Sequence, residues 1–364
     1  MLLCASCGKN SAETDPSTIP GPRRDLAELL SRLPIGEEQM NEVYDAVETS
    51  SSNGYDEEYL MSDLLSAPGS GVGTKASTEY SRPIRALIEE YLATHPAPVT
   101  KAGAADAQEY LDMLQSSGMQ IYWPYSEDWD GSTAPVITFD PGNGAESNYG
   151  FRIGNPDEEI LVTEAYAREH PVWVVNSNTD SGYTTLDQYF KGKAIGDEYI
   201  FDDDDDEDIR CLYIRDFTML RHYDPWFAGA SEFWCKCGAV SGFRAGTEEE
   251  LKRYTPEVTD FVVVVKRGEL GRRKQFNAVL VSDFTSQLDN LAFLITEDDG
   301  GTLTSWKCSA SVKIKSKTWG FDIDIPLHQH DDIVWRGQLS AKYFEQNSNK
   351  QGRFGDVMVT FALE

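Results

Sequence analysis

No apolar run in this 364-residue chain approaches the roughly 18–20 residues that a membrane-spanning helix needs. The longest candidate, residues 261–265, has the length of a buried strand. Positive charge is also scarce: 32 Lys and Arg face 61 Asp and Glu, a formal net charge of −29. Such a field repels phosphate backbones and anionic lipid heads, which argues against nucleic-acid partners and against basic membrane patches. The motifs of common hydrolases are missing. There is no G-x-S-x-G elbow and no H-E-x-x-H. Residues 69–75 (Gly-Ser-Gly-Val-Gly-Thr-Lys) imitate a phosphate loop but lack its Gly-Lys-Ser/Thr spacing, and they follow a helical pattern rather than a strand. No internal repeat is visible.

Cysteine is sparse, six in all. Two of them, Cys4 and Cys7, sit in Leu2-Leu3-Cys4-Ala5-Ser6-Cys7-Gly8, followed by a Ser/Thr/Pro-rich stretch to residue 23. Small residues directly before a Cys-Gly resemble the end of a bacterial lipoprotein signal peptide, with Cys7 as the lipid-bearing first residue of the mature protein. The apolar segment before Ala5 is shorter than such a signal needs, so the reading expects a start that has been clipped. Cys235 and Cys237 lie two apart in an apolar run and would share one face of a strand. Core thiols are the plain reading. The other is a disulfide from one of them to Cys308, which export would permit.

From residue 24 helical periodicity begins. Leu26, Leu29, Leu30 and Leu33 line one face and stop at Pro34. Met40, Val43 and Val47, then Tyr59, Leu60 and Leu64, then Ile84, Leu87, Ile88 and Leu92 repeat the pattern. Asp106 and Glu109 form a capping box for another helix. Residues 24–117 are therefore expected to be a helical region. At Gly118 strand patterns take over, and residues 118–176 read as a small β-rich domain. Residues 177–208 read as an acidic linker, with seven acids in a row at 202–208. Eight strand patterns after it, at sandwich-like spacing, make residues 209–364 a β-sandwich. The fold class is thus α+β: a helical region, a small β-rich domain and a C-terminal antiparallel sandwich.

The segment Leu212-Tyr213-Ile214-Arg215-Asp216-Phe217, with Asp224 and then Gly229-Ala230-Ser231-Glu232-Phe233, is similar to the opening of C2-type β-sandwich domains. Residues 291–299, a strand ending in Glu297-Asp298-Asp299, resemble a later strand of that family and its paired acids. Glu232 stands where the family has Asp, and Phe233 where it has Pro. The whole chain also looks like an exported bacterial lipoprotein of unassigned function. The C2 resemblance implies Ca²⁺ held by loop acids, here Asp224, Glu232, Glu297, Asp298 and Asp299. On the residues alone these are solvated loop acids of an acidic protein, and no metal ligand, catalytic residue or cofactor is assigned.

Three further groups of residues stand out. His328-Gln329-His330-Asp331-Asp332 is the most metal-like cluster, although no third ligand at a distance can be picked out, and a polar turn after Pro326 is the plain reading. Lys313, Lys315 and Lys317 would share one face of a strand, guarding an edge. Tyr122, Trp123, Tyr125, Trp129, Tyr149 and Trp173, interleaved with Glu127, Asp128 and Asp130, suit glycan or peptide contact, with most of them expected in the core. The expected function is non-catalytic binding of a protein or glycan by a lipid-anchored protein at the cell envelope of a Gram-negative bacterium. The alternative is a secreted hydrolase with its site where the helical region meets the β-rich domain.

Overall fold

The computed structural model describes residues 21–66, 80–100, 103–104, 106–178, 183–188 and 210–364. Cys4, Cys7, the glycine-rich stretch 69–75 and the acid run 202–208 lie outside the described residues. The class is mixed: helices come first, then many strands, ending in antiparallel sheets.

Two long helices come first among the described residues, α1 (Gly21–Arg32) and α2 (Glu37–Ser52). Leu26, Leu29, Leu30, Met40, Val43 and Val47 are buried, as their 3.6-residue spacing predicts. Strand β1 (Glu58–Leu60), helix α3 (Met61–Leu64), helix α4 (Ile84–Leu92), the short pair β2 (Val99–Thr100) and β3 (Gly103–Ala104), and helix α5 (Ala107–Ser116) follow. Asp106 caps α5 through Glu109 N at 2.8 Å. Helical periodicity had placed Tyr59 and Leu60 on a helix. They lie instead on β1, which adds antiparallel to β4 (Met119–Tyr122), Glu58 opposite Tyr122. Pairing with an open strand edge satisfies the backbone of this short segment, which is too brief for a stable helix on its own.

The first sheet runs β1-β4-β8-β5-β6-β7, with β5 (Val136–Phe139), β6 (Ser147–Arg152), β7 (Asn155–Thr163) and β8 (Val172–Ser177). Only β5 and β8 pair in parallel. The four-residue helix α6 (Glu164–Ala167) joins β7 to the approach of β8. Alternation along the strands divides two cores. Ile121, Ile137, Phe139, Trp173 and Val175 face the helices and share their core. Tyr122, Val136, Val172 and Val174 face the other way and pack around Trp226 and Phe227. The helices and the strands after Gly118 thus have one core in common.

The remaining strands are β9 (Arg210–Met219), β10 (Ser231–Ala239), β11 (Glu257–Val265), β12 (Lys274–Phe284), β13 (Leu288–Glu297), β14 (Leu303–Ile314), β15 (Lys317–His328), β16 (Asp332–Ser340), β17 (Lys350–Phe354) and β18 (Val357–Leu363), with helix α7 (Ala341–Asn347) before β17. They form two antiparallel sheets over a single core. One runs β12-β9-β18-β17 and the other β11-β10-β13-β14-β15, with β16 on β13. Phe217 of one sheet meets Phe233 of the other at 6.0 Å between ring centroids. Cys235 and Cys237 are buried in this core, and with Cys211 and Cys308 they are free thiols. The lysine stripe is not one strand. The hairpin turns between β14 and β15, where Lys315 adopts φ 57°, so Lys313 and Lys317 lie on different strands and face each other across the turn only through their neighbours. No helix among the described residues is long and apolar enough to cross a membrane.

The two units are joined by the segment between β9 and β10. Trp226 and Phe227 from that segment complete the second core of the first sheet. Trp226 Nε1 donates to Glu146 O, and Asn176 Nδ2 donates to Phe227 O and Ala228 O. Asp56 accepts from Ala230 N at 2.8 Å. Gly229 has φ 138°, a conformation that favours glycine, and a Cβ there would lie 2.8 Å from Asp56 Oδ2, so glycine leaves room for the Asp56 carboxyl to reach Ala230 N.

Candidate metal centre

One end of the larger sandwich sheet gathers acids from four distant stretches of sequence. The register does the gathering. Phe233 pairs with Glu297 across β10 and β13, and Glu297 pairs with Asp332 across β13 and β16. Asp298 N donates to Glu232 O, extending the β10–β13 ladder by one step. Above this end runs the segment that carries Asp224. Its shape is held by Arg267, whose Nε donates to Gly229 O and whose Nη2 donates to Asp224 O and Pro225 O at 2.8–2.9 Å. The buried guanidinium thus gives its hydrogen bonds to carbonyl oxygens, while its charge still acts to lower Asp224.

Asp224, Glu232 and Glu297 each offer a carboxylate oxygen within 4.8 Å of the other two. Glu297 is 0 % exposed, and neither of its carboxylate oxygens accepts a hydrogen bond. Asp224 Oδ2 likewise has no donor. A buried carboxylate without a donor is expensive, by several kcal/mol if it is ionised. Burial first, and then the Asp224 carboxylate, push Glu297 well above the usual carboxyl range. Burial raises Asp224 as well. At the rim, burial with the charges of Asp224 and Asp332 raises Asp299 to about 6. A proton is one way to hold these groups together. A hard divalent cation is the other, since it takes six to eight oxygens at 2.3–2.6 Å and carboxylates supply two each.

Of the five acids implied by the C2 resemblance, the structure brings Asp224, Glu232 and Glu297 into one cluster, with Asp299 at its rim. Asp298 turns to a second cluster with His328 and Asp331. Sequence reasoning singled out His328 and Asp331 but could not see Asp298 as their third partner, because β13 and β15 are joined only through the fold. His330 belongs to neither group and lies against Gly301. Asp332 was not expected at the first cluster. Its place opposite Glu297 follows from β16, a strand the pattern did not reveal.

The aromatic candidates divide by burial. Tyr122, Trp123 and Trp173 are fully buried, whereas Tyr149 is exposed. Tyr125, Trp123 and Trp129 wall an open cleft of about 180 Å³, with Asp130, Arg168 and His170 at its sides. Arg168 lies 5.7 Å over the Tyr125 ring and donates to its hydroxyl and to Glu164. Asp130 accepts from Ser132 N, Thr133 N and the Thr133 hydroxyl, bonds that hold its carboxyl well below the usual range. So weak a base is a poor partner for a hydroxyl nucleophile.

No protein-family model matches the chain, and no curated protein and no solved structure matches it.

Proposed function

We propose that this protein is a non-catalytic binding protein whose C-terminal sandwich is C2-like and Ca²⁺-dependent, and that lipid on Cys7 anchors it at a bacterial cell envelope, where it holds a protein or glycan. The observation that carries the cation dependence is Glu297, fully buried with no donor on either oxygen and facing Asp224 and Glu232. Three carboxylates supply up to six oxygens and leave the rim, beside Asp299 and Asp332, for water or for oxygens of a ligand. The β9–β10 segment that brings Asp224 also carries Trp226 and Phe227 into the first unit, so a bound cation would stiffen the junction as well as the sandwich. In the aromatic cleft Asp130 is held ionised and weakly basic by its donors, which counts against it as the general base of the hydrolase alternative.

The test is thermal unfolding of the full chain after chelation. Millimolar Ca²⁺ at about 100 times its Kd should stabilise by about 2.7 kcal/mol, a rise of roughly 5–10 °C in the Tm of the sandwich unfolding as its own unit, or of about 3–4 °C where the whole chain unfolds together. Glu297→Gln should abolish that rise and leave the cation-free Tm unchanged or higher. A flat Ca²⁺ titration of the parent protein ends the cation reading.

A further inference from the structure

We propose that Asp298, His328 and Asp331 form a second metal site, separate from the carboxylate cluster and selective for a transition metal such as Zn²⁺ over Ca²⁺. His328 Nδ1 lies 3.1 Å from Asp298 Oδ1 and 3.8 Å from Asp331 Oδ1, and all three ligand atoms fall within 4.8 Å of one another. Donors around a tetrahedral Zn²⁺ at 2.0–2.1 Å are roughly 3.3 Å apart, so the trio is spaced for one ion without rebuilding the backbone. The Asp331 side chain is 1 % exposed, and its Oδ1 accepts no hydrogen bond while facing the imidazole. Its other oxygen accepts from His328 N at 2.8 Å, which fixes the carboxyl.

The surroundings orient ligands in the way metal sites require. Trp234 Nε1 donates to Asp298 Oδ2 at 3.2 Å, and Gly300 N donates to Asp298 Oδ1 at 3.0 Å. Lys236 of β10 gives its ammonium to Pro326 O and to the face of Trp234, and its charge acts on Asp298 and Asp331 from beyond ion-pair distance. Among the described residues neither carboxylate has a Lys or Arg ion-pair partner. An imidazole ligand disfavours Ca²⁺ and Mg²⁺, which take oxygen, and suits Zn²⁺. His328 is partly exposed, so a fourth position opens to water. That leaves three protein ligands and one free position, able to take a carboxylate or carbonyl oxygen of a ligand.

Equilibrium dialysis of the chelated full chain against micromolar Zn²⁺ tests the site, with Ca²⁺ titrated in parallel. His328→Ala and Asp331→Asn should each lose one equivalent of Zn²⁺, or bind it at least about tenfold more weakly. Both should keep any response to Ca²⁺. Glu297→Gln should keep the Zn²⁺ equivalent. Parent and both variants binding the same Zn²⁺ overturns the proposal and leaves a histidine–carboxylate ion pair. Loss of that equivalent in Glu297→Gln would merge the two clusters and overturn their separation. Asp331→Asn preserves the acceptor for His328 N, so the reading stands even where the alanine variant folds poorly.

Discussion

The first unit and the Glu297 end of the sandwich bury carboxylates in different ways, although Asp216 elsewhere in the sandwich is buried with Thr360 and Arg273 as partners. In the first unit each buried acid has donors. Glu42 accepts from Ile84 N and from the Tyr59 hydroxyl, and Asp56 accepts from Glu57 N and Ala230 N. Glu57 accepts from Ser126 N and its hydroxyl, and faces Glu127 with its free oxygen. These acids splice helices, strands and the two units together. At the sandwich end, Glu297 and Asp224 are turned toward each other instead, with no donor on either oxygen of Glu297 or on Asp224 Oδ2. A buried carboxylate ringed by N–H groups has a structural task already. One that faces other carboxylates with no donor on either oxygen, as Glu297 does, has a task only when something positive arrives; Glu57, which faces Glu127, still has two donors on its other oxygen.

The sharpest break of this contrast is Asp56→Ala. It would strand the Glu57 and Ala230 amides at the buried junction, each costing about 1–3 kcal/mol. Denaturant unfolding should show a loss of about 3 kcal/mol and an earlier separation of the two units. Neutrality there would mean that the donors around Asp56 do not bind the units, and the contrast would fail.

Glu42 sharpens it through pH. Burial raises its pKa from 4.5 to about 7 in the folded chain. Between those values the folded state keeps a proton that the unfolded state has released, so stability falls as pH rises through 4.5–7 and stays lower above it. Asp56, raised to about 6 by burial, adds the same sign between 3.8 and 6. Glu42→Gln can still accept from Ile84 N and donate to Tyr59, so it should stabilise the protein at pH 8 by roughly 2–3 kcal/mol and flatten that part of the profile. A profile unchanged by the substitution would show that the carboxyl is ionised in place.

The smallest effect is expected where both partners are in water. Lys317 and Glu248 pair at 3.0 Å with both side chains exposed, so Lys317→Ala should change stability by no more than about 0.5 kcal/mol. A larger loss would mean that the β14–β15 turn depends on its charge.

Helix faces were legible because their period is local: Leu26, Leu29 and Leu30, or Ile84, Leu87 and Ile88, need only their own neighbours to reveal a buried stripe. The same locality misled at Tyr59 and Leu60, since the strand edge of β4 that captures them lies 60 residues on in sequence terms that no pattern displays. Lys315 shows the reverse failure. Alternation ran through the hairpin because charge and apolar residues continue on both sides of the turn, and only the positive φ at Lys315 marks the reversal. Strand β16 was missed because its polar, half-exposed residues lack a clean alternation.

What the amino acids determined by themselves is composition and period: a mixed α+β chain, helices before strands, an acidic surface and a sandwich-rich C-terminal half. These follow from neighbours a few residues apart, where sterics and hydrophobic spacing act directly. Which acids meet was decided by tertiary structure. Strand register set Glu297 between Phe233 and Asp332, the β9–β10 segment laid Asp224 over them, and two turns at the far ends of β13 and β15 brought Asp298 to His328 and Asp331. Electrostatic coupling depends on separations of a few ångströms, and those are fixed only once distant strands have paired.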